Sequence, residues 1–160
     1  MLSVMELYRF DWLNQQAEEG VDPQRVIVDP HHHLWSNRSG VYLADELIAD
    51  TSGSHNVTKT VFVECFSKYD REAPEPLRPV GETRFVAAEA AAAAATGKLQ
   101  IGGIVSFADM MLGDGVEEVL TAHDAAGNGL FRGIRHAVSH DADPAVPGAH
   151  TNATDMMMDS

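Results

Sequence analysis

The sequence predicts an α/β protein in which strands alternate with helices and the strands form one parallel sheet. Short runs rich in β-branched and apolar residues alternate with segments that have helical periodicity or high helix propensity. The longest run, residues 57–66, is apolar almost throughout, which is typical of a strand buried on both faces of a parallel sheet. Parallel neighbours need crossover connections, and the helical segments lie where those connections are required.

Length and composition restrict the class of protein further. The chain has 160 residues, of which 44% are hydrophobic, and this is enough for one domain with a sizeable core. The net charge of -13 would repel phosphate backbones, so we expect no nucleic-acid binding. No apolar run is long enough to span a membrane, and the first residues have no apolar core typical of a secretory signal. With a single cysteine, Cys65, these features predict a cytoplasmic protein.

The elements follow one another at regular intervals. Residues 5–19 predict an amphipathic leader helix that ends near Gly20 and Pro23, so we divide the chain into a leader (1–24) and a main unit (25–160). Apolar and β-branched runs predict four strands, at 26–30, 57–66, 99–107 and 130–138. Helical patterns predict three helices, at 43–50, 81–96 and 115–126. The remaining segments read as loops, with 36–40 turn-rich and 67–80 long enough to act as a lid over a site.

The histidines that follow the first strand are the strongest chemical signal. Side chains alternate along a strand, so Asp29, His31 and His33 should share one face and His32 the other. Two imidazoles on one face can reach a single divalent ion, and Asp29 can orient one ring. A metal-sticky low-complexity tract is the alternative, but this tract is internal and follows a hydrophobic strand.

Two charged residues lie at the ends of later predicted strands. Glu64 ends the second strand and needs a partner there, either a ligand or metal in a functional site or a structural salt bridge. Arg135 ends the fourth strand, and its planar guanidinium fits a carboxylate. The alternative for Arg135 is simple pairing with Glu64 or Asp29. Cys65 reads as a small buried hydrophobe rather than a nucleophile.

Four segments together resemble the amidohydrolase superfamily, in its amidohydrolase-related branch of lactonases, decarboxylases and other metal-dependent hydrolases. They are IVDPHHHLW (27–35), VFVEC (61–65), VGETRFVA (80–87) and FRGIRH (131–136), and the likeness covers roughly residues 8–160. The resemblance implies a (β/α)8 barrel, which typically needs about 250 residues. The chain then corresponds to a partial TIM barrel of about four βα units with an N-terminal leader helix, the N-terminal half of that fold.

The resemblance also implies a function. His31 and His33 match the first metal ligands of the superfamily, and the ion would be zinc or manganese. Arg135 matches an arginine that contacts the carboxylate of the substrate in the lactonase branch, and we assign Glu64, from its place at a strand end, to substrate binding with it. The later histidines and the catalytic aspartate of the superfamily have no counterpart. The expected activity is metal-dependent hydrolysis of a lactone, ester or amide of a small carboxylate compound. The alternatives are a metal-dependent decarboxylase and a non-catalytic, truncated half-barrel whose open sheet edges pair two copies into a homodimer.

Overall fold

A computed structural model of the chain describes residues 19–37 and 40–139, together with residues 143 and 145. The predicted leader helix and the segment after residue 145 lie outside this part of the chain. Within these described residues the structure forms six strands: β1 (Val26–His32), β2 (Trp35–Asn37), β3 (Gly40–Tyr42), β4 (Asn56–Val63), β5 (Gln100–Ser106) and β6 (Phe131–Ile134). Three helices lie between them: α1 (Ala44–Thr51), α2 (Val80–Ala95) and α3 (Val116–Ala126). Short 3-10 turns occupy Glu75–Leu77 and Met110–Gly115.

The main sheet has four parallel strands in the order β1-β4-β5-β6. Each strand pairs with the next strand of the same sheet along the chain, and a helical connection separates them, as the alternating pattern predicts. The α/β class and the four-stranded parallel sheet are therefore confirmed. The four carboxyl ends meet at one edge of the sheet, which we call the carboxyl edge.

The core lies between this sheet and its helices. Phe62, Ile101 and Ile104 from the strands are fully buried against Val86 and the alanines of α2. Small side chains at Ala90 and Ala93 allow the helix to lie close to the sheet, so the alanine run is a packing surface and not a linker.

Gly103 and Gly81 both lie close to neighbouring residues, but only at Gly81 is the neighbour backbone. A Cβ atom on Gly103 would lie 3.2 Å from the Cγ atom of Arg132, so a larger residue there requires the arginine side chain to move slightly. A Cβ atom on Gly81 would lie 2.6 Å from the backbone of Lys68 and Asp70. The loop after β4 is therefore packed tightly against the start of α2.

Two local predictions need correction. Within the segment 36–40, expected to be a loop, residues 36, 37 and 40 belong to an antiparallel pair of strands, β2 and β3, in which Trp35 stacks on Tyr42 with ring centroids 5.0 Å apart. The fourth strand was predicted to run to residue 138, but β6 ends at Ile134, so Arg135 and His136 follow it. In both places the hydrophobic pattern alone did not indicate where hydrogen-bonded pairing begins or ends.

Candidate functional site

The site is built from residues that end the strands at the carboxyl edge. His31 lies near the end of β1, and His33 follows it. Their Nε2 atoms are 3.2 Å apart and their ring planes are nearly perpendicular, at 84°. His32 points the other way, is buried, and packs edge-on against Phe62. Burial lowers the pKa of His32 to about 4, so this ring is neutral at physiological pH.

Hydrogen bonds to the backbone set the state of the histidine pair. His33 Nδ1 lies 2.7 Å from the carbonyl oxygen of Val63 at the end of β4. Because a carbonyl only accepts, Nδ1 carries the proton and the Nε2 of neutral His33 keeps its lone pair. Asp29 accepts a hydrogen bond from the backbone N–H of His31, at 3.0 Å. The sequence predicts that Asp29 orients one of the rings. In the structure the Val63 carbonyl orients the ring of His33, and Asp29 bonds to the backbone instead.

The geometry of the pair fits a divalent metal ion. Two imidazole nitrogens that bind one zinc ion tetrahedrally lie about 3.3 Å apart, given Zn–N bonds of about 2.0–2.1 Å. The observed 3.2 Å between the Nε2 atoms of His31 and His33 is close to this value. Without a metal, a hydrogen bond from His31 Nε2–H to His33 Nε2 satisfies the same contact. Among the described residues, no group of three or more His, Cys, Asp or Glu side chains is arranged to hold a metal, so the pair provides two ligands only.

Arg135 and Glu64 are brought together across 71 positions of sequence. The Nε of Arg135 donates to Glu64 Oε1 at 2.8 Å, and Nη2 lies 2.6 Å from the same oxygen and 2.8 Å from the Glu64 carbonyl. Glu64 is almost wholly buried, whereas the Arg135 side chain is 38% exposed. The structural pairing considered for these residues is therefore formed. The contacts to Glu64 use the Nε and Nη2 groups of the guanidinium and do not involve Nη1.

A second buried carboxylate lies beneath this pair. Glu82, at the start of α2, accepts hydrogen bonds from the backbone N–H groups of Ser67 and Cys65, at 2.6 and 3.2 Å. Its burial raises its pKa to about 7. The Cys65 thiol donates to the carbonyl of Leu34 and to Glu82, and its own burial raises the pKa of Cys65 to about 12. At this pKa the thiol is protonated at physiological pH and is a weak nucleophile. The sequence predicted a buried apolar contact, whereas Cys65 is only partly buried and makes polar contacts.

A buried chain of hydrogen bonds joins α2, β5 and α3. His123 Nε2 lies 2.9 Å from the carbonyl of Phe107, so Nε2 carries the proton. Its Nδ1 then accepts from the Thr83 hydroxyl at 2.8 Å, and Thr83 accepts from the Ser106 hydroxyl at 2.6 Å. Burial lowers the pKa of His123, which keeps the ring neutral. These hydrogen bonds have the order of a catalytic relay, but all three side chains are buried, so a substrate cannot reach them.

His136 follows β6 at the carboxyl edge, and its side chain is 10% exposed. Its Nδ1 accepts a hydrogen bond from the backbone N–H of Met110, at 3.1 Å, and lies 3.6 Å from Asp109. The sequence does not predict a metal site from His136 and His140, because Val138 and Asp141 argue against a helix that would place the two rings together, and His140 lies outside the described residues.

Sequence reasoning missed the buried roles of Glu82 and His123. From the sequence, Glu82 indicates only an acidic residue in the first turn of a helix, where it suits the helix dipole. For His123 the signal was present, because it follows Val119 by four positions and Val116 by seven, on the apolar face of α3. For Glu82 the corresponding clue is its position directly after Gly81, where the backbone passes close to Lys68 and Asp70.

Comparison of the chain with models of known protein families, with curated proteins and with solved structures gives no match. In the part of the chain that the structure describes, none of the helices combines the length and apolar character needed to cross a membrane.

Proposed function

We propose that the chain forms the metal-binding part of an amidohydrolase-type, metal-dependent hydrolase that acts on a lactone, ester or amide of a small carboxylate compound. The observation that carries the proposal is the convergence of two imidazole Nε2 atoms at the carboxyl edge, at a separation that suits one metal ion. In barrels built from parallel strands this edge is where active sites are found. The four segments that resemble the superfamily contribute residues to this edge.

His31 and His33 would hold the ion, zinc or manganese. The ion, when bound, polarises a carbonyl group and activates water for attack. His33 is prepared for this role before any ion arrives, since the Val63 carbonyl fixes its tautomer with the Nε2 lone pair available.

Arg135 would bind the carboxylate of the substrate. Glu64 holds the guanidinium through Nε and Nη2, so the Nη1 group has a fixed direction and two N–H donors that no described residue accepts. Glu64 therefore acts as a positioning residue rather than as a contact to the substrate.

The test is equilibrium binding of Zn²⁺ and Mn²⁺ by titration calorimetry to the chain and to three variants. We expect His31→Ala and His33→Ala to weaken binding at least about tenfold, as loss of a ligand requires. His55→Ala is the matched control, because His55 is exposed and lies just before β4, at the opposite edge. Equal binding by all four proteins would refute the site.

A second measurement separates the activities. Acid release from a panel of carboxylate-bearing lactones is followed with and without added metal. Release that metal accelerates and that His31→Ala removes supports the hydrolase. Release of CO2 from a carboxylate substrate without lactone opening would support the decarboxylase instead, and metal binding without either reaction would support a non-catalytic binding unit.

A further inference from the structure

Large apolar side chains are exposed at the carboxyl edge. Phe66 follows β4, Met110 and Met111 follow β5, and Val138 follows β6, and all four are exposed. These residues belong to three different connections, yet the parallel sheet brings them to the edge that holds His31 and His33. Exposed apolar groups gathered around a polar site are typical of a ligand-binding surface.

Phe66 has the least ordinary conformation among them. Its φ angle is 63°, in the left-handed region that a bulky residue rarely adopts, and its side chain is 63% exposed. Glu82 fixes the backbone on both sides by accepting from the N–H groups of Cys65 and Ser67. The strained conformation is therefore imposed by buried groups, while the ring gains little burial in return. Strain of this kind, retained without a packing benefit, points to a functional role for the ring.

The ring of Phe66 belongs to an aromatic row. Its centroid lies 5.8 Å from that of Tyr69 and 6.1 Å from that of Phe107, and Phe107 in turn lies 5.0 Å from His136. The row crosses the ends of β4, β5 and β6. It ends at His136, the residue after Arg135. The Arg135 guanidinium donates to the carbonyl of Glu64, two residues before Phe66, so the aromatic row and the guanidinium lie at the same end of the sheet. Among the described residues none accepts a hydrogen bond from Arg135 Nη1.

We propose that Phe66 and Phe107 form a specificity surface for the ring of an aromatic or other flat carboxylate, whose charge Arg135 binds through Nη1. The proposal deepens the proposed function and rests on it for the identity of the site. It adds that the ligand carries an apolar ring beside its carboxylate. A ring stacked on Phe66 removes apolar surface from water on both partners, whereas a short aliphatic acid removes almost none.

The experiment measures equilibrium binding of benzoate, acetate and benzamide to the metal-free chain by ligand-observed NMR titration. We expect benzoate to bind about tenfold more tightly than acetate, which lacks the ring, and than benzamide, which lacks the charge. Phe66→Ala should reduce benzoate affinity about tenfold and leave acetate unchanged. Val26→Ala is the matched control, because Val26 is equally exposed but begins β1 at the opposite edge.

Phe66→Asn covers the case in which Phe66→Ala fails to fold, because asparagine tolerates the left-handed conformation and still removes the ring. Equal binding of benzoate and acetate, or unchanged benzoate affinity in both Phe66 variants, would overturn the proposal. Because the titration needs neither metal nor turnover, its result is independent of the hydrolase test. Ring-selective binding without hydrolysis would refute only the proposed function, and hydrolysis without ring selectivity would refute only this inference.

Discussion

Replacing Arg135 by alanine should destabilise the protein far more than replacing Glu64 by glutamine. The two residues form one ion pair, but their surroundings differ. Glu64 is buried, with 4% of its side chain accessible, whereas 38% of the Arg135 side chain is accessible. Removing the arginine leaves a buried carboxylate without its cation, while removing the charge of Glu64 leaves a guanidinium that water can reach.

The magnitude follows from this asymmetry. Breaking a fully buried pair by removing one partner costs about 3–5 kcal/mol. Because solvent reaches Arg135 and screens the pair, we reduce the expected loss for Arg135→Ala to about 2–3 kcal/mol. Glu64→Gln keeps a carbonyl oxygen that can accept the Nε–H of Arg135, so its cost should be about 1 kcal/mol.

Urea unfolding followed by circular dichroism measures these differences as changes in the free energy of unfolding. The matched control is Arg25→Ala, which removes an ion pair with Asp22 whose side chains are 73% and 53% exposed. This control should lose less than about 0.5 kcal/mol. The reasoning would be refuted if Arg135→Ala and Glu64→Gln cost the same, or if Arg135→Ala cost no more than the control.

Three further predictions concern protonation and association. Burial raises the pKa of Glu82 from 4.5 to about 7, so the folded state binds the proton more tightly than the unfolded state. The free energy of unfolding of the wild type, relative to that of Glu82→Gln, should therefore fall by about 3 kcal/mol as pH rises from 4.5 to 7. Urea unfolding at several pH values measures this difference, and a difference that does not change with pH would contradict the prediction. The pKa of Cys65 is raised to about 12, so its thiol should react with iodoacetamide at pH 8 about a thousandfold more slowly in the folded chain than in urea. The rate of labelling is measured by mass spectrometry, and equal rates in the two states would contradict this prediction. Among the described residues, β1 and β6 each pair with a strand on one side only. The mass from sedimentation equilibrium should therefore rise with concentration, and more so at high salt, which screens the net charge of -13. Val28→Lys, on the open strand β1, should suppress that rise, and a constant monomer mass for the wild type would exclude association through the edges.

The sequence by itself determined the order and type of the main elements. Strands and helices produce local periodicities of two and about 3.6 residues, so the four parallel strands and three helices could be predicted from short stretches. The same local rule placed His31 and His33 on one side of the chain and His32 on the other. The bounds of β6 and the hairpin of β2 and β3 could not be predicted, because pairing depends on which backbone lies alongside.

Only the tertiary structure decided the partners of the charged and polar residues. From the sequence, the partner of Arg135 could be a ligand, Glu64 or Asp29. In the structure it is Glu64, 71 positions away, because β4 and β6 lie on either side of β5 and end at the same edge. Glu82 and His123 look like ordinary helix residues until the loop after β4 and the end of β5 bury them. The left-handed conformation of Phe66 has the same origin, since it is imposed by hydrogen bonds to Glu82. Local sequence sets periodicity, but burial and pairing depend on residues that are distant in the chain, and these set the chemistry of the site.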